Sequence, residues 1–306
     1  MGFKAISDEE FYLLKEVLGV DPPSHEVEAE IARAFDIATG LHSRCGYSKV
    51  GKLKPFFLEL VAEKGELHSE FVARSLLAVF LRDSNWKPVC QVPDIVKQEF
   101  AREKIRIRTE LFSVSAGHYR PLSDAFYKDF ALLRGAAMPG FTGIVDTHTI
   151  LWRRPLIFGP FIQRVKFLDI LLTWPFGTRY FFQHHVHSSL LERFNESGRL
   201  RMYRLVVALL EANENHKGFC GTSWFYDPQL KKISPRLSYL ADYPLAYGAR
   251  RFHLGQDLTG SAVARSATRA RLHEQGRYVP QSYMLVWPKK PMVRHVESYL
   301  SNDGAP

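Results

Sequence analysis

The most informative part of the sequence runs from Arg179 to Gly198 and reads RYFFQHHVHSSLLERFNESG. Its first nine residues form an aromatic-rich run that is typical of a β-strand. Ser189 follows, with Glu192 three residues later, which is the capping-box pattern that opens a helix. The stretch therefore predicts a strand that leads directly into a helix, and the junction holds three histidines, His184, His185 and His187.

The same alternation continues to the end of the chain. GFCGTSWFY, ARRFHLG and SYMLVWP are typical of strands, while Asp227-Pro228 and Ser234-Pro235 are helix-start signals and SAVARSATRARLHEQG is typical of a helix. The resulting order is β-α-β-α-β-α-β. This order predicts a mixed, largely parallel sheet with helices packed over it.

The first half of the chain has a different pattern. Between Ser7 and about Gly135, apolar residues recur at helical spacing, and Ser7 with Glu10 predicts a capped helix that stops at Gly19. Glycines and a proline interrupt this pattern in RGAAMPGFTG. We therefore predict a helical N-terminal region over residues 1–140 and an α/β domain over residues 141–306, an α+β chain overall.

Composition narrows the class of protein. The chain has 306 residues, of which 46% are hydrophobic, and only three cysteines in no paired framework. Its acidic start lacks the basic and apolar pattern of a secretory signal, so we predict a cytoplasmic protein with reduced thiols. The most apolar segment, RRPLIFGPFIQRVKFLDILLTWPFG, contains charges and prolines that leave no 18-residue uncharged window, which predicts buried helix and strand without stable membrane insertion.

Charge is distributed unevenly along the chain. The formal net charge is +9, and residues 1–40 hold nine acids against three bases, whereas residues 260–294 hold seven bases against Glu274 alone. Such a basic tail is typical of a protein that binds a polyanion such as tRNA. A solvated charged face remains the alternative interpretation.

Short strands, a strand that leads into a long helix, and a terminal strand after an Arg-rich helix together resemble the C-terminal half of the GNAT acyltransferase superfamily. That family's coenzyme A enzymes carry a glycine-rich loop after the strand, where backbone amides bind the pyrophosphate. This chain reads HHVHSSLLERF at that position, with no glycine. The resemblance therefore implies the branch similar to Fem-type transferases, with aminoacyl-tRNA, or less favourably acyl-CoA, as donor.

The histidines allow three interpretations. On a strand, His185 and His187 share a face with Gln183, and His184 points to the other face. An imidazole at a strand end has a pKa suited to removing a proton from an attacking amine, which favours His185 or His187 as a general base. Two histidines on one face could instead hold a metal, although no third ligand lies nearby in sequence, or they could be packing residues.

The segment KGFCGTSWFYDP contributes the remaining catalytic candidates. Ser223 and Tyr226 are predicted to bind the acceptor or the tetrahedral oxygen, and Trp224 to form a wall of the substrate site. Asp227 is predicted to bind substrate, although a helix cap is its simplest role. Three arginines complete the predicted substrate-binding set. Arg251 is predicted to bind substrate, and Arg265 and Arg269 are predicted to contact a phosphate-bearing donor.

The predicted function is transfer of an acyl or aminoacyl group to a small-molecule amine acceptor. No tightly bound cofactor and no metal are expected, and the acyl donor serves as co-substrate. Two alternatives remain open at this point. One is a metal-dependent oxygenase or hydrolase that uses the histidines His184 to His187, and the other is a non-enzymatic RNA-binding or assembly protein. The sequence does not indicate the oligomeric state.

Overall fold

The computed structural model describes residues 6–41, 46–82, 86–173, 180–264 and 266–302. These residues form two compact units, Met1–Thr147 with His185–Arg193, and His148–His184 with Phe194–Pro306. The chain therefore leaves the first unit after Thr147 and returns to it for nine residues that include His185 and His187. The sequence indicates a single boundary near Gly140 and does not predict that the chain returns to the first unit.

The first unit contains six helices and two strands among its described residues. They are α1 (Asp8–Leu18), α2 (Ser24–Thr39), α3 (Leu53–Lys64), α4 (Glu66–Arg82), α5 (Asp94–Ser113), α6 (Asp124–Leu133), β1 (Ala137–Pro139) and β2 (Gly143–Thr149). The predicted capping box at Ser7 and Glu10 and the stop at Gly19 are both confirmed. α4 packs against α1, α2, α3, α5 and α6, which explains why most of its residues are buried.

α4 also carries a charged pair inside this helical core. Arg74 donates to the Glu70 carboxylate at 2.8 Å and to the backbone oxygen of Leu111 at 2.8 Å. Glu70 in turn accepts hydrogen bonds from the backbone N–H groups of Gly117 and Tyr119. Buried ions persist only when their hydrogen-bonding groups are satisfied in this way. The pair ties α4 to the end of α5 and to the loop that follows.

The second unit carries the remaining elements. They are α7 (Phe161–Thr173), β3 (Phe181–Val186), α8 (Glu196–Ala212), β4 (Gly218–Ser223), α9 (Leu230–Ile233), α10 (Tyr239–Ala246), β5 (Arg250–Gln256), α11 (Ser261–Ala264), α12 (Ala267–Glu274), β6 (Gln281–Pro288) and α13 (Lys289–Asn302). β3 continues at its C-terminal end into the segment that belongs to the first unit. The predicted strand and helix alternation is confirmed for the described residues from Phe181 onward.

All six strands belong to one mixed sheet in the order β1-β2-β3-β4-β6-β5. The expectation of a largely parallel sheet is wrong for the pairings with a described register, because β3–β4 is parallel whereas β1–β2, β4–β6 and β5–β6 are antiparallel. α8 has 17 residues, about 25 Å of helix, enough to return the chain for a parallel strand. α12 has eight residues, about 12 Å, which is too short for that return.

The capping box predicted at Ser189 and Glu192 does not open α8. Residues Ser188–Arg193 form a 3-10 turn, and α8 begins at Glu196, where Asn195 Oδ1 accepts the N–H of Gly198 at 2.9 Å. The hydroxyl of Ser189 instead donates to Glu110 at 3.0 Å. A tertiary hydrogen bond therefore replaces the local one that the spacing indicates.

No helix in the described ranges is both long and apolar enough to cross a bilayer. The apolar segment of residues 153–177 is only partly described, and α7 is the helix within it.

The backbone of Gly143 lies very close to the backbone of His185, and this close approach gives a first prediction. A Cβ at Gly143 would lie 2.0 Å from the carbonyl oxygen of His185, a distance that no packing adjustment tolerates. We expect Gly143→Ala to cost about 1–3 kcal/mol of unfolding free energy, measured by urea denaturation. Gly40→Ala is the matched control, because Gly40 has φ −75° and its Cβ would meet Asp36 O at an ordinary 3.5 Å. Equal midpoints for both variants would contradict the close approach.

Candidate functional site

His185 lies at the C-terminal end of β3 against a carboxylate from the neighbouring strand. Its Nε2 is 3.2 Å from Oδ2 of Asp146 on β2, although the N–H does not point straight at that oxygen. The His185 side chain is 21% exposed, and the Asp146 side chain is almost fully buried. No hydrogen bond within the described residues occupies the second ring nitrogen, Nδ1. An imidazole with a carboxylate beside one nitrogen can accept a proton at the other.

Tyr47 fixes Asp146 from the other side. The backbone N–H of Tyr47 donates to Asp146 Oδ1 at 3.1 Å, and the Tyr47 ring centroid lies 4.5 Å from that of His185. Burial, together with the negative charges of Asp124 and Asp146, raises the pKa of the Tyr47 hydroxyl far above its ordinary value. The phenol therefore stays protonated beside the Asp124 carboxylate.

Lys128 brings a positive charge to the same place. Its buried ammonium group donates to Asp124 and to the backbone oxygen of Val186, and it lies 5.7 Å from the Tyr47 ring centroid. The His185 site, defined as Tyr47, Asp124, Lys128, Asp146 and His185, therefore combines an imidazole, a neutral phenol, an ammonium group and two carboxylates. All five residues belong to the first unit.

His187 has a different environment from His185. Its side chain is fully buried, its Nδ1 accepts the backbone N–H of Ser189 at 3.1 Å, and its Nε2 lies 3.5 Å from Asp129 Oδ1. Burial lowers the pKa of His187 below its ordinary value. The ring is therefore neutral near pH 7, with the proton on Nε2 and no free lone pair. A base role for His187 stays a prediction and requires these contacts to open.

Asp129 anchors a network of buried charges beneath His187. Arg106 on α5 donates to Asp129 at 2.5 Å, to Glu103 at 2.7 Å and to Glu110 at 2.8 Å, and the Tyr119 hydroxyl donates to Asp129 at 2.6 Å. Burial raises the pKa of Glu103. Burial also acts to raise the pKa of Asp129, but the adjacent Arg106 holds it below its ordinary value. We call these five residues the Asp129 network.

The sequence interpretation did not identify the Asp129 network or four of the five residues of the His185 site. One signal was present, because Glu99, Glu103, Arg106 and Glu110 recur at spacings of four, three and four on α5. That spacing places charged groups on one helical face, and a charged face usually points to solvent. In the structure Glu99 and Glu103 are buried on that face, where Arg193 approaches them within 4 Å.

The depressed pKa of His187 predicts a pH effect on stability. In the unfolded chain His187 binds a proton near its ordinary pKa of about 6.5, whereas the folded protein binds it only at lower pH. The unfolded state therefore holds more protons below about pH 6.5, so stability falls as pH drops through that window. We expect His187→Gln to flatten the dependence of unfolding free energy on pH below about pH 6.5, measured by denaturation in a pH series. An unchanged slope would contradict the neutral buried state.

Four of the other predicted residues cluster in the second unit, after β4. Ser223 Oγ accepts the N–H of Phe225 at 3.1 Å and caps a 3-10 turn that contains Trp224 and Tyr226, both of which are buried. Asp227 accepts the N–H groups of Gln229 at 2.9 Å and of Gln281 at 3.1 Å. The carboxylate thus makes both a turn contact and a contact to β6. Its substrate-binding role stays a prediction.

Two of the three predicted arginines contact this cluster. Arg251 donates to the backbone oxygen of Tyr226 at 3.2 Å. Arg269 is almost fully buried, donates to the hydroxyl of Ser234 at 3.1 Å, and places its guanidinium 4.7 Å from the Trp224 ring centroid. Burial lowers the pKa of Arg269. Substrate binding by Arg251 and phosphate contact by Arg269 stay predictions, and Arg265 lies outside the described residues.

His184 and Tyr226 share a buried partner in the second unit. Arg199 on α8 lies 3.0 Å from Nδ1 of His184 and donates to the hydroxyl groups of Tyr203 at 3.2 Å and Tyr226 at 3.3 Å. Burial raises the pKa of Tyr226 to about 12. The predicted alternation of the histidines is consistent with these contacts, since His184 has different neighbours from His185.

The predicted catalytic set is thus distributed over both units. His185 and His187 belong to the first, and Ser223 and Tyr226 to the second. Within the described residues, no three His, Cys, Asp or Glu side chains are arranged to hold a metal ion.

The chain matches no protein-family model, no curated protein and no solved structure. The resemblance to the GNAT superfamily is therefore carried by the sequence patterns alone.

Proposed function

We propose that the chain is an acyl- or aminoacyl-transferase in which His185 removes a proton from an amine acceptor. The observation that supports this proposal is the pairing of His185 with Asp146. The imidazole is partly exposed, its Nε2 lies 3.2 Å from the buried Asp146 carboxylate, and its Nδ1 makes no hydrogen bond within the described residues. A small rotation of the ring would align Nε2–H with Asp146, as acid–base catalysis by histidine requires.

The proposed reaction is a nucleophilic acyl transfer. The amine nitrogen attacks the carbonyl carbon of the donor ester while His185 Nδ1 takes the amine proton. When the tetrahedral intermediate collapses, the bond from carbon to the leaving oxygen breaks, and the imidazolium returns the proton to that oxygen. Asp146 stabilises the positive charge that forms on His185. No oxidant, metal or bound cofactor takes part in these steps.

Two groups near His185 can stabilise the negative charge that develops in this step. Tyr47 remains protonated and can donate a hydrogen bond, because its pKa is raised by burial and by adjacent carboxylates. Lys128 supplies a positive charge that favours negative charge developing nearby. The roles predicted for Ser223, Trp224 and Tyr226, which belong to the second unit, stay predictions.

Aminoacyl-tRNA is the proposed donor, and the support for it is electrostatic. The net charge of +9 and the seven bases between residues 260 and 294 favour a polyanionic partner. A nucleic-acid donor would bind with an affinity that falls steeply as salt rises. The same charge excess also favours the alternative of an RNA-binding or assembly protein without catalytic activity.

A donor panel tests the proposal and separates it from the alternative. The purified chain would be incubated with mixed aminoacyl-tRNA or with acyl-CoA, together with a set of small amines, and the products identified by mass spectrometry. Amide formation that requires the protein supports a transferase, and the donor consumed identifies the branch. Salt-dependent tRNA binding without any amide product would instead support the RNA-binding protein. Absence of both product and binding would overturn the proposal.

A further inference from the structure

α7 carries two apolar faces. One face lies inside the second unit, where Phe167 and Ile170 are buried in a core with strand residues such as Phe252. The opposite face carries apolar residues at spacings of four, three and four, namely Phe161, Val165, Leu168 and Leu172. At about 100° per residue these four positions fall on one line along the helix. We call them the α7 stripe.

The α7 stripe faces solvent. Phe161 is 78% exposed and Leu172 is 81% exposed, and the stripe is extended by further exposed apolar residues in the loop before the helix, Trp152, Ile157 and Phe158. Arg164 and Gln163 on α7 donate to the backbone oxygens of Ile157 and Phe158, which ties the loop to the start of the helix. Contiguous exposed apolar surface of this kind is typical of a binding site.

Basic side chains flank the α7 stripe. Arg164 borders it on one side, Lys166 is exposed further round the helix, and Arg153 and Arg154 are exposed in the loop. The one acid between residues 150 and 172 is Asp169, which lies on the other side of the stripe and whose carboxylate pairs with Arg250. An apolar stripe with an excess of nearby bases is the pattern of a helix that lies in a membrane interface, where bases meet anionic headgroups. Trp152 fits the same setting, since tryptophan favours the headgroup level.

We propose that the α7 stripe docks the protein on the surface of an anionic lipid bilayer, with α7 parallel to the membrane. A second copy of the chain fits this surface less well. A two-fold contact through the stripe would place the bases of one copy opposite those of the other, at an electrostatic cost. The membrane contact does not depend on the proposed transferase activity.

Vesicle flotation tests this contact with the full chain. The vesicles contain phosphatidylcholine alone or phosphatidylcholine mixed with phosphatidylglycerol. We expect at least about tenfold more protein on the anionic vesicles, and less at high salt. Phe161→Asp combined with Leu172→Asp should lower binding at least about tenfold, because charge in the stripe opposes burial in the acyl region. Arg164→Gln combined with Lys166→Gln should lower binding about fivefold for each lost base.

Matched controls test whether any exposed apolar residue or any pair of exposed bases would affect vesicle binding in the same way. Leu258→Asp alters an apolar side chain that is 87% exposed elsewhere in the second unit, and Arg204→Gln combined with Lys232→Gln removes two exposed bases that belong neither to α7 nor to the basic tail. Both controls should bind like the wild type, and thermal unfolding confirms that each variant is folded. The proposal is overturned if the wild type floats with neither vesicle, or if the controls lose as much binding. It is equally overturned if sedimentation shows a dimer that the stripe variants dissociate.

Discussion

His185→Gln is expected to lower the turnover of the transfer reaction by about two to four powers of ten, the usual share of general acid–base catalysis. Glutamine has no group that accepts a proton near neutral pH, so the attacking amine loses its base. The side chain is partly exposed, and its contact with Asp146 is at the edge of the buried region. Stability should therefore change little. Turnover and urea denaturation of the same preparation measure both quantities.

Three further variants make the result specific. Asp146→Asn keeps the shape of the pair but removes the charge that stabilises the imidazolium, so it should also lower turnover. His184→Gln alters a buried ring that contacts Arg199, and it should lower stability while the folded fraction keeps its turnover. His187→Gln should behave in the same way as His184→Gln. Equal turnover in His185→Gln and the wild type would remove His185 from the proposed mechanism.

Local patterns in the sequence predicted most of the elements correctly. The first helix and its cap follow from Ser7 and Glu10, which lie three residues apart and form the predicted hydrogen bonds. The strands from residue 181 onward follow from runs of aromatic and apolar residues between turn signals. Each of these features is determined by residues that are close in sequence. Strand direction is not, which explains why a largely parallel sheet was expected in place of the mainly antiparallel pairings described.

The candidate site could be predicted only in part. His185 stood out because it lies at a strand end among other polar residues, but its partners Asp146 and Tyr47 are 39 and 138 residues away in sequence. Only the fold brings them together, through the close pairing at Gly143 and the backbone contact of Tyr47. The α7 stripe shows the opposite case. Its apolar residues were expected to be buried, and one face of the helix is buried while the other is exposed.

Arg106→Met is expected to lower the free energy of unfolding by about 3–5 kcal/mol, the cost of removing one partner from a buried charged group. Arg106 contacts the carboxylates of Glu103, Glu110 and Asp129, and its own side chain is almost buried. Without it, carboxylates that are already costly to bury lose their neutralising charge. Urea denaturation at neutral pH measures the loss. Lys97→Met is the matched control on the same helix, because its pair with Asp94 is exposed and should contribute at most about 1 kcal/mol.

A double variant distinguishes loss of charge from loss of packing. Asp129→Asn alone should also destabilise the protein, because it removes the negative charge and replaces one of the two oxygens that accept from Arg106 and Tyr119 with an NH2 donor. Combined with Arg106→Met, it takes away one of the carboxylates that Arg106 neutralised. The double variant should therefore lose less unfolding free energy than the sum of the losses in the two single variants. Strictly additive losses would mean that the two side chains stabilise the fold independently. Arg106 would then contribute through the packing of its stem on α5, and the network would not be held together by its charges.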